Sequence, residues 1–150
     1  MKIFIGADHR GFQLKKKVHE ILKGLGHEVA DMGTYEEGID CDYPQISYKV
    51  ATEVVQNPGS RGILLCMTGL GHSIAANKVP GIYAALVYNK EAAAFSRQHN
   101  DSNVLVLGSK YTDEAEMAQI IKIWLSTKFE GGRHLRRKEQ IQKIEKEFSK

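Results

Sequence analysis

At 150 residues, 42% hydrophobic and 26% charged, the chain holds enough apolar material for one domain, 1–150, and too little for two. A formal net charge of +3 is too small to mark a nucleic-acid binder, and the basic cluster Arg133, Arg136, Arg137 and Lys138 suits a small local anion better than a polyanion. No apolar run approaches membrane-spanning length, Met1 to Ile5 reads as strand rather than as a leader, and Cys41 and Cys66 make no disulfide framework. A cytoplasmic protein that meets neither membrane nor nucleic acid is expected.

In chain order, residues 2–7 alternate and then run apolar, which predicts a first strand. Residues 11–26 carry Leu14, Val18, Ile21, Leu22 and Leu25 at helical spacing, with Lys15, Lys16 and Lys17 expected on the wet side. A short strand follows at 27–31, then a polar loop over 32–43. Pro44 suits the first turn of a helix whose buried stripe is Ile46, Val50, Ala51, Val54 and Val55, and Asn57-Pro58-Gly59 stops it. Residues 61–66 read as a buried strand. Further strands are predicted at 82–87 and 103–107, with helices at 90–99 (Ala92, Ala93 and Phe95 inward), 113–126 (Ala115, Ala118, Ile121, Trp124 and Leu125 on one side) and 133–148. Five alternations of strand and helix predict an α/β fold, a five-stranded parallel sheet covered on both faces with right-handed crossovers. The last helix has only a thin stripe, Leu135, Ile141, Ile144 and Phe148. It reads equally as docked on its own domain or as packed across a subunit boundary.

Between the strand at 61–66 and the next helix runs Cys66-Met67-Thr68-Gly69-Leu70-Gly71-His72. Gly69 and Gly71 permit a tight turn whose amides face an anion, at the sheet edge where parallel α/β folds bind ligands. Ile74 stands where a dinucleotide fingerprint needs a small residue, and no Gly-Lys-Ser/Thr phosphate loop exists. The six histidines show no metal-binding spacing, so neither metal nor cofactor is expected. Each polar residue has a plain alternative: Cys66 as a small hydrophobe, Thr68 and Asp8 as helix caps, His9 as surface, the C-terminal arginines as solubilising groups. A helix start beside Cys66 would lower its pKa. Asp8-His9, Cys66 to Gly71 and Lys110 follow strands one, three and five and can converge. His99-Asn100-Asp101 lies near the opposite edge, within reach only through a loop or from a neighbouring subunit. Together these residues supply a thiol base, donors for an oxyanion and a cationic clamp, a set suited to proton transfer beside a carbonyl in a phosphorylated substrate.

Five stretches carry a resemblance: Ala7-Asp8-His9-Arg10-Gly11-Phe12, Asp42-Tyr43-Pro44, Cys66 to Lys78, Ser96-Arg97-Gln98-His99-Asn100-Asp101 and Gly131-Gly132-Arg133-His134. From end to end the chain resembles the ribose-5-phosphate isomerase B family, which also includes the galactose-6-phosphate isomerase subunits. The resemblance implies a Rossmann-like three-layer sandwich with an extra C-terminal helix, dimers or tetramers with sites shared between subunits, and no metal. It implies cofactor-free interconversion of an aldose phosphate and a ketose phosphate, ribose 5-phosphate and ribulose 5-phosphate first, through a cis-enediolate. Cys66 is then the base moving a proton between C1 and C2, with Thr68 and the amides around Gly69 and Gly71 on the enediolate oxygen. His99 would open the sugar ring, Asn100 hold hydroxyls, and Asp8 and Tyr43 assist. His9, Arg133 and Arg137 would bind phosphate. Met67, His72, Tyr83 and Lys110 depart from the common pattern. His72 beside Cys66 would pair with a thiolate, lower its pKa or reshape the pocket, and Lys110 stands where some members use arginine for phosphate. These departures leave the sugar open among tetrose, pentose and hexose phosphates such as allose or galactose 6-phosphate. A non-catalytic sugar-phosphate-binding subunit is the remaining alternative.

Overall fold

A computed structural model describes residues 1–149. Its elements, in chain order, are β1 (Lys2–Ala7), α1 (Phe12–Gly24), β2 (Glu28–Asp31), α2 (Tyr43–Gln56), β3 (Arg61–Cys66), α3 (Leu70–Ala76), β4 (Ala84–Leu86), α4 (Lys90–Gln98), β5 (Val104–Gly108), α5 (Glu114–Ser126) and α6 (Arg133–Phe148). A single 3-10 turn, His9–Gly11, leads into α1. The five strands form one parallel sheet in the order β2-β1-β3-β5-β4.

Near-continuous apolar strands require cover on both faces, and the helices supply it. Val18 and Leu22 of α1, Ala93 of α4, and Met117, Ile120, Ile121 and Trp124 of α5 pack with Ile3, Ile5, Ile63, Leu65, Leu105 and Leu107 on one face. Ile46, Val50, Ala51 and Val54 of α2 and Ala76 of α3 pack with Phe4, Leu64, Val104 and Val106 on the other. Trp124 is fully buried, and its indole N–H donates to Ser102 Oγ at 2.8 Å, so the largest core side chain leaves no unsatisfied donor.

Four expectations about the helices are corrected. Val55 is exposed, and the buried face of α2 is Ile46, Ser47, Val50, Ala51 and Val54. Lys15 is not solvated: it is 2% exposed, three and seven residues before Val18 and Leu22 on the buried stripe of α1. Its ammonium donates to Asp31 Oδ1 at 2.6 Å and to the carbonyl of Thr34 at 2.5 Å, which makes burial of the charge tolerable. Phe95 points outward because the buried face of the nine-residue α4 is Ala93, Ser96 and Arg97. In α5, Ala115 is exposed, and the stripe runs instead through Met117, Ile120, Ile121 and Trp124.

Register places the site. Ala7 pairs with Leu65 and Cys66 with Gly108, so β1, β3 and β5 end at one level of one edge. The loops leaving β3 and β5 are bonded to each other, the amides of Ser109 and Lys110 donating to the carbonyls of Cys66 and Met67 at 2.9 Å each. At the far side α6 leaves Leu135, Ile141, Ile144 and Phe148 exposed. The last three line an open groove of about 760 Å³ with Ile82 and Ala84.

Candidate active site

Asp8 follows β1, and its Oδ1 accepts the amides of Arg10 and Gly11 at 3.0 Å each, capping the 3-10 turn. Cys66 ends β3, 7% exposed, and its sulfur accepts the amide of Gly69 at 2.9 Å. Gly69 begins the turn with φ +84°, a conformation that favours glycine. Thr68 Oγ1 accepts the amide of Leu70 at 3.3 Å. Gly71 is glycine for a different reason: a Cβ there would lie 2.5 Å from the ring of Tyr43. Tyr43 in turn stands edge-on to His72, centroids 5.8 Å apart.

His72 is wholly buried. Its Nδ1 lies 2.6 Å from Ser47 Oγ, while Nε2 has no hydrogen-bond partner among the described residues. One ligand-type atom from each of Asp8, Cys66 and His72 lies within 4.8 Å of the other two. Burial pushes the Cys66 thiol above its ordinary pKa, with the Asp8 carboxylate adding to the rise and the Gly69 amide opposing it. The expected lowering by the helix start is therefore overturned: α3 is two turns long, and burial outweighs it. Burial likewise pushes His72 down to about 4, against the pull of Asp8. At neutral pH the pair rests as thiol and neutral imidazole, not as a thiolate–imidazolium pair.

On the same edge His9 accepts the amide of Cys41 at Nδ1 (3.3 Å) and faces the exposed Asp40 through Nε2 at 3.5 Å. Arg10 donates to the sulfur of Met67 at 3.0 Å. Lys110 is exposed beside the turn.

The second group lies elsewhere. His99 caps α4 and is sandwiched between Phe95 (centroids 4.9 Å, 17°) and His134 (4.3 Å, 8°). It lines a cavity of about 240 Å³ with Asn100, His134, Arg137, Lys138 and Ile141. Arg133 opens α6, exposed, its Nε donating to His134 Nε2 at 3.5 Å. Burial, helped by His99 and Arg133, pushes the His134 imidazole down. Lys138 holds Asp101 Oδ2 at 2.5 Å and covers the ring of Tyr83, so Tyr83 belongs to this group and not to the Cys66 edge. Within one chain, then, Asp8, His9, Tyr43, Cys66, Thr68, Gly69, Gly71, His72 and Lys110 gather at the carboxyl edge, while His99, Asn100, Arg133 and Arg137 gather beside α6.

Sequence reasoning missed Ser47, Phe95 and His134 as supports. Ser47 had a legible signal, a polar residue inside the apolar stripe of α2, four positions after Tyr43. The stacking of Phe95 and His134 on His99 joins α4 to α6 and has no local sequence signature.

With this geometry in view, the comparisons are specific. Residues 3–141 match the Ribose/Galactose Isomerase family. The chain belongs to this family. It is 44% identical to the Escherichia coli ribose-5-phosphate isomerase B over 144 residues, 96% of each chain. It superposes on the Clostridium thermocellum ribose-5-phosphate isomerase B with a TM-score of 0.96 at 47% identity, covering 99% of this chain and 100% of that one. The Mycoplasma genitalium ribose-5-phosphate isomerase B with bound ribulose-5-phosphate superposes with a TM-score of 0.93 at 44% identity, covering 97% of both chains.

Proposed function

We propose that this member of the Ribose/Galactose Isomerase family interconverts ribose 5-phosphate and ribulose 5-phosphate, in the cytoplasm, at sites assembled between two copies of the chain. The observation that carries the chemistry is the buried Cys66 sulfur at the end of β3, held against the turn amides with Asp8 alongside. A relative 44% identical binds ribulose-5-phosphate on the same fold.

In the forward direction His99 opens the furanose ring by exchanging a proton between the ring oxygen and the anomeric hydroxyl, and Asn100 holds the sugar hydroxyls. Cys66, a thiol at rest, reacts through the fraction that has lost its proton to solvent, and this thiolate takes the proton from C2. The electron pair moves into the C1–C2 bond, and the C1 oxygen becomes the enediolate oxygen. Thr68 and the amides around Gly69 and Gly71 donate to that oxygen, a preorganised cradle worth several kcal/mol, about 3 per donor. A proton passes from the C2 hydroxyl to the C1 oxygen across the cis-enediolate, the carbonyl forms at C2, and Cys66 returns its proton to C1, giving the ketose. Asp8 and Tyr43 orient the hydroxyls at the reacting end. His9, Arg133 and Arg137 hold the phosphate, with Lys110 at the rim.

Two copies are required because His99 and Arg137 belong to one group of residues and Cys66 to another. A dimer or dimer of dimers that buries the exposed stripe of α6 would bring them together. The test is a side-by-side assay of tetrose, pentose and hexose phosphates with the purified chain, together with C2 proton exchange in deuterated water. Ribose 5-phosphate is expected to give the highest kcat/KM. A higher value for a hexose phosphate would move the substrate, and absence of C2 exchange with every sugar would leave a binding subunit only.

A further inference from the structure

The trio Asp8, Cys66 and His72 has a property that proton transfer does not use. A carboxylate, a thiol and an imidazole converge with one donor atom each inside 4.8 Å, all three side chains more than nine-tenths buried. Ser47 occupies Nδ1 at 2.6 Å, which leaves Nε2 for the cluster, a buried polar atom with no hydrogen-bond partner among the described residues. An orphaned nitrogen of this kind is costly unless something completes it. Both amide contacts to Asp8 fall on Oδ1, which leaves Oδ2 for another partner.

We propose that Asp8, Cys66 and His72 form a binding site for one zinc ion, or another thiophilic divalent cation, which inhibits the enzyme by occupying the sulfur that serves as its base. Sulfur, imidazole and carboxylate form a zinc ligand set, and three protein ligands leave a fourth position for water or a sugar oxygen. Tetrahedral zinc with bonds of about 2.0–2.3 Å places its ligand atoms about 3–4 Å apart, close to the separation, within 4.8 Å, that the trio already has. Supports are already in place: Ser47 fixes the imidazole through Nδ1, as partners of metal-bound histidines do, and the Gly69 amide donates to the sulfur at 2.9 Å. The residual exposure of Asp8 (8%) and Cys66 (7%) gives the entry path. The ion is an inhibitor, not a cofactor, because it ties up the lone pair that must accept the C2 proton.

Cobalt(II) is the probe, added to the full metal-free chain without substrate. The expected result is a thiolate-to-cobalt charge-transfer band with tetrahedral d–d bands, saturating at about one equivalent and abolished by one equivalent of zinc. Cys66→Ser removes the charge-transfer band, Cys41→Ser keeps it, and His72→Leu weakens binding at least tenfold. Should His72→Leu fail to fold, Asp8→Asn, which keeps an oxygen for the capping amides, carries the same expectation. No band up to millimolar cobalt, a band indifferent to Cys66→Ser or His72→Leu, or bands lacking sulfur character that trace instead to the His99, Glu130 and His134 group would overturn the assignment. Inhibition rests on the proposed isomerase reading and is read separately. Zinc should lower the isomerisation rate, a chelator restore it, and undiminished turnover at saturating zinc would overturn the inhibitory role. A chain that binds cobalt as described but never isomerises would retain the site and lose the functional reading.

Discussion

In the proposed reaction Cys66 serves as the base, and its surroundings hold it still. The strand ends with its sulfur on the Gly69 amide, and no other thiol lies on that edge except the half-buried Cys41. Cys66→Ala is therefore expected to lower kcat by about 10²–10⁴-fold, the ordinary worth of a positioned base, with phosphosugar binding retained. Steady-state kinetics beside a binding isotherm would show it, and activity within a few-fold of the parent would remove Cys66 from the reaction. His72 sets a second expectation. Its pKa falls from 6.5 to about 4 on folding, so between those values the unfolded chain binds the extra proton. Stability attributable to His72 is complete above about pH 6.5 and is lost as pH falls toward 4, by about 3 kcal/mol in all. Urea unfolding at neutral and acid pH should show a loss in the parent that exceeds the loss in His72→Leu by about that amount. Equal losses would mean the imidazole is not held neutral by burial.

Among elements, α1 depends on one buried charge. Lys15 pins it to the end of β2 through Asp31. Asp31 itself is partly exposed, so Asp31→Ala, which leaves the buried Lys15 ammonium with the Thr34 carbonyl alone, should destabilise by about 2 kcal/mol, read as a lowered midpoint in urea. A loss under about 1 kcal/mol would mean the Thr34 carbonyl alone satisfies the ammonium. The same residue shows why part of the fold was hidden in the sequence. Strands such as Arg61–Cys66 and the span of α6 were legible because apolar runs and helical spacing are local properties. Lys15 was misread because three consecutive lysines look solvated, and only the strand-end carboxylate 16 positions away makes the buried rotamer favourable. The site divides the same way. Cys66 and Asp8 stand at strand ends and could be placed on one edge from alternation alone. The unpaired nitrogen of His72, its anchor Ser47 and the Phe95–His99–His134 stack arise from tertiary approach.

At the scale of the whole molecule, the chain holds two groups of polar residues: Cys66 with its turn amides at the carboxyl edge of the sheet, and a stacked histidine with arginines beside a helix whose apolar stripe is uncovered. We propose that each working site takes one half from each of two copies. Subunit mixing tests it most directly. Cys66→Ala and His99→Asn, each inactive alone, are mixed under conditions that exchange subunits, and isomerisation of ribose 5-phosphate is measured. Random pairing makes half the dimers mixed, each with one intact site of two, so recovery of about a quarter of parental activity is expected. A mixture that exchanges subunits and stays inactive would contradict it.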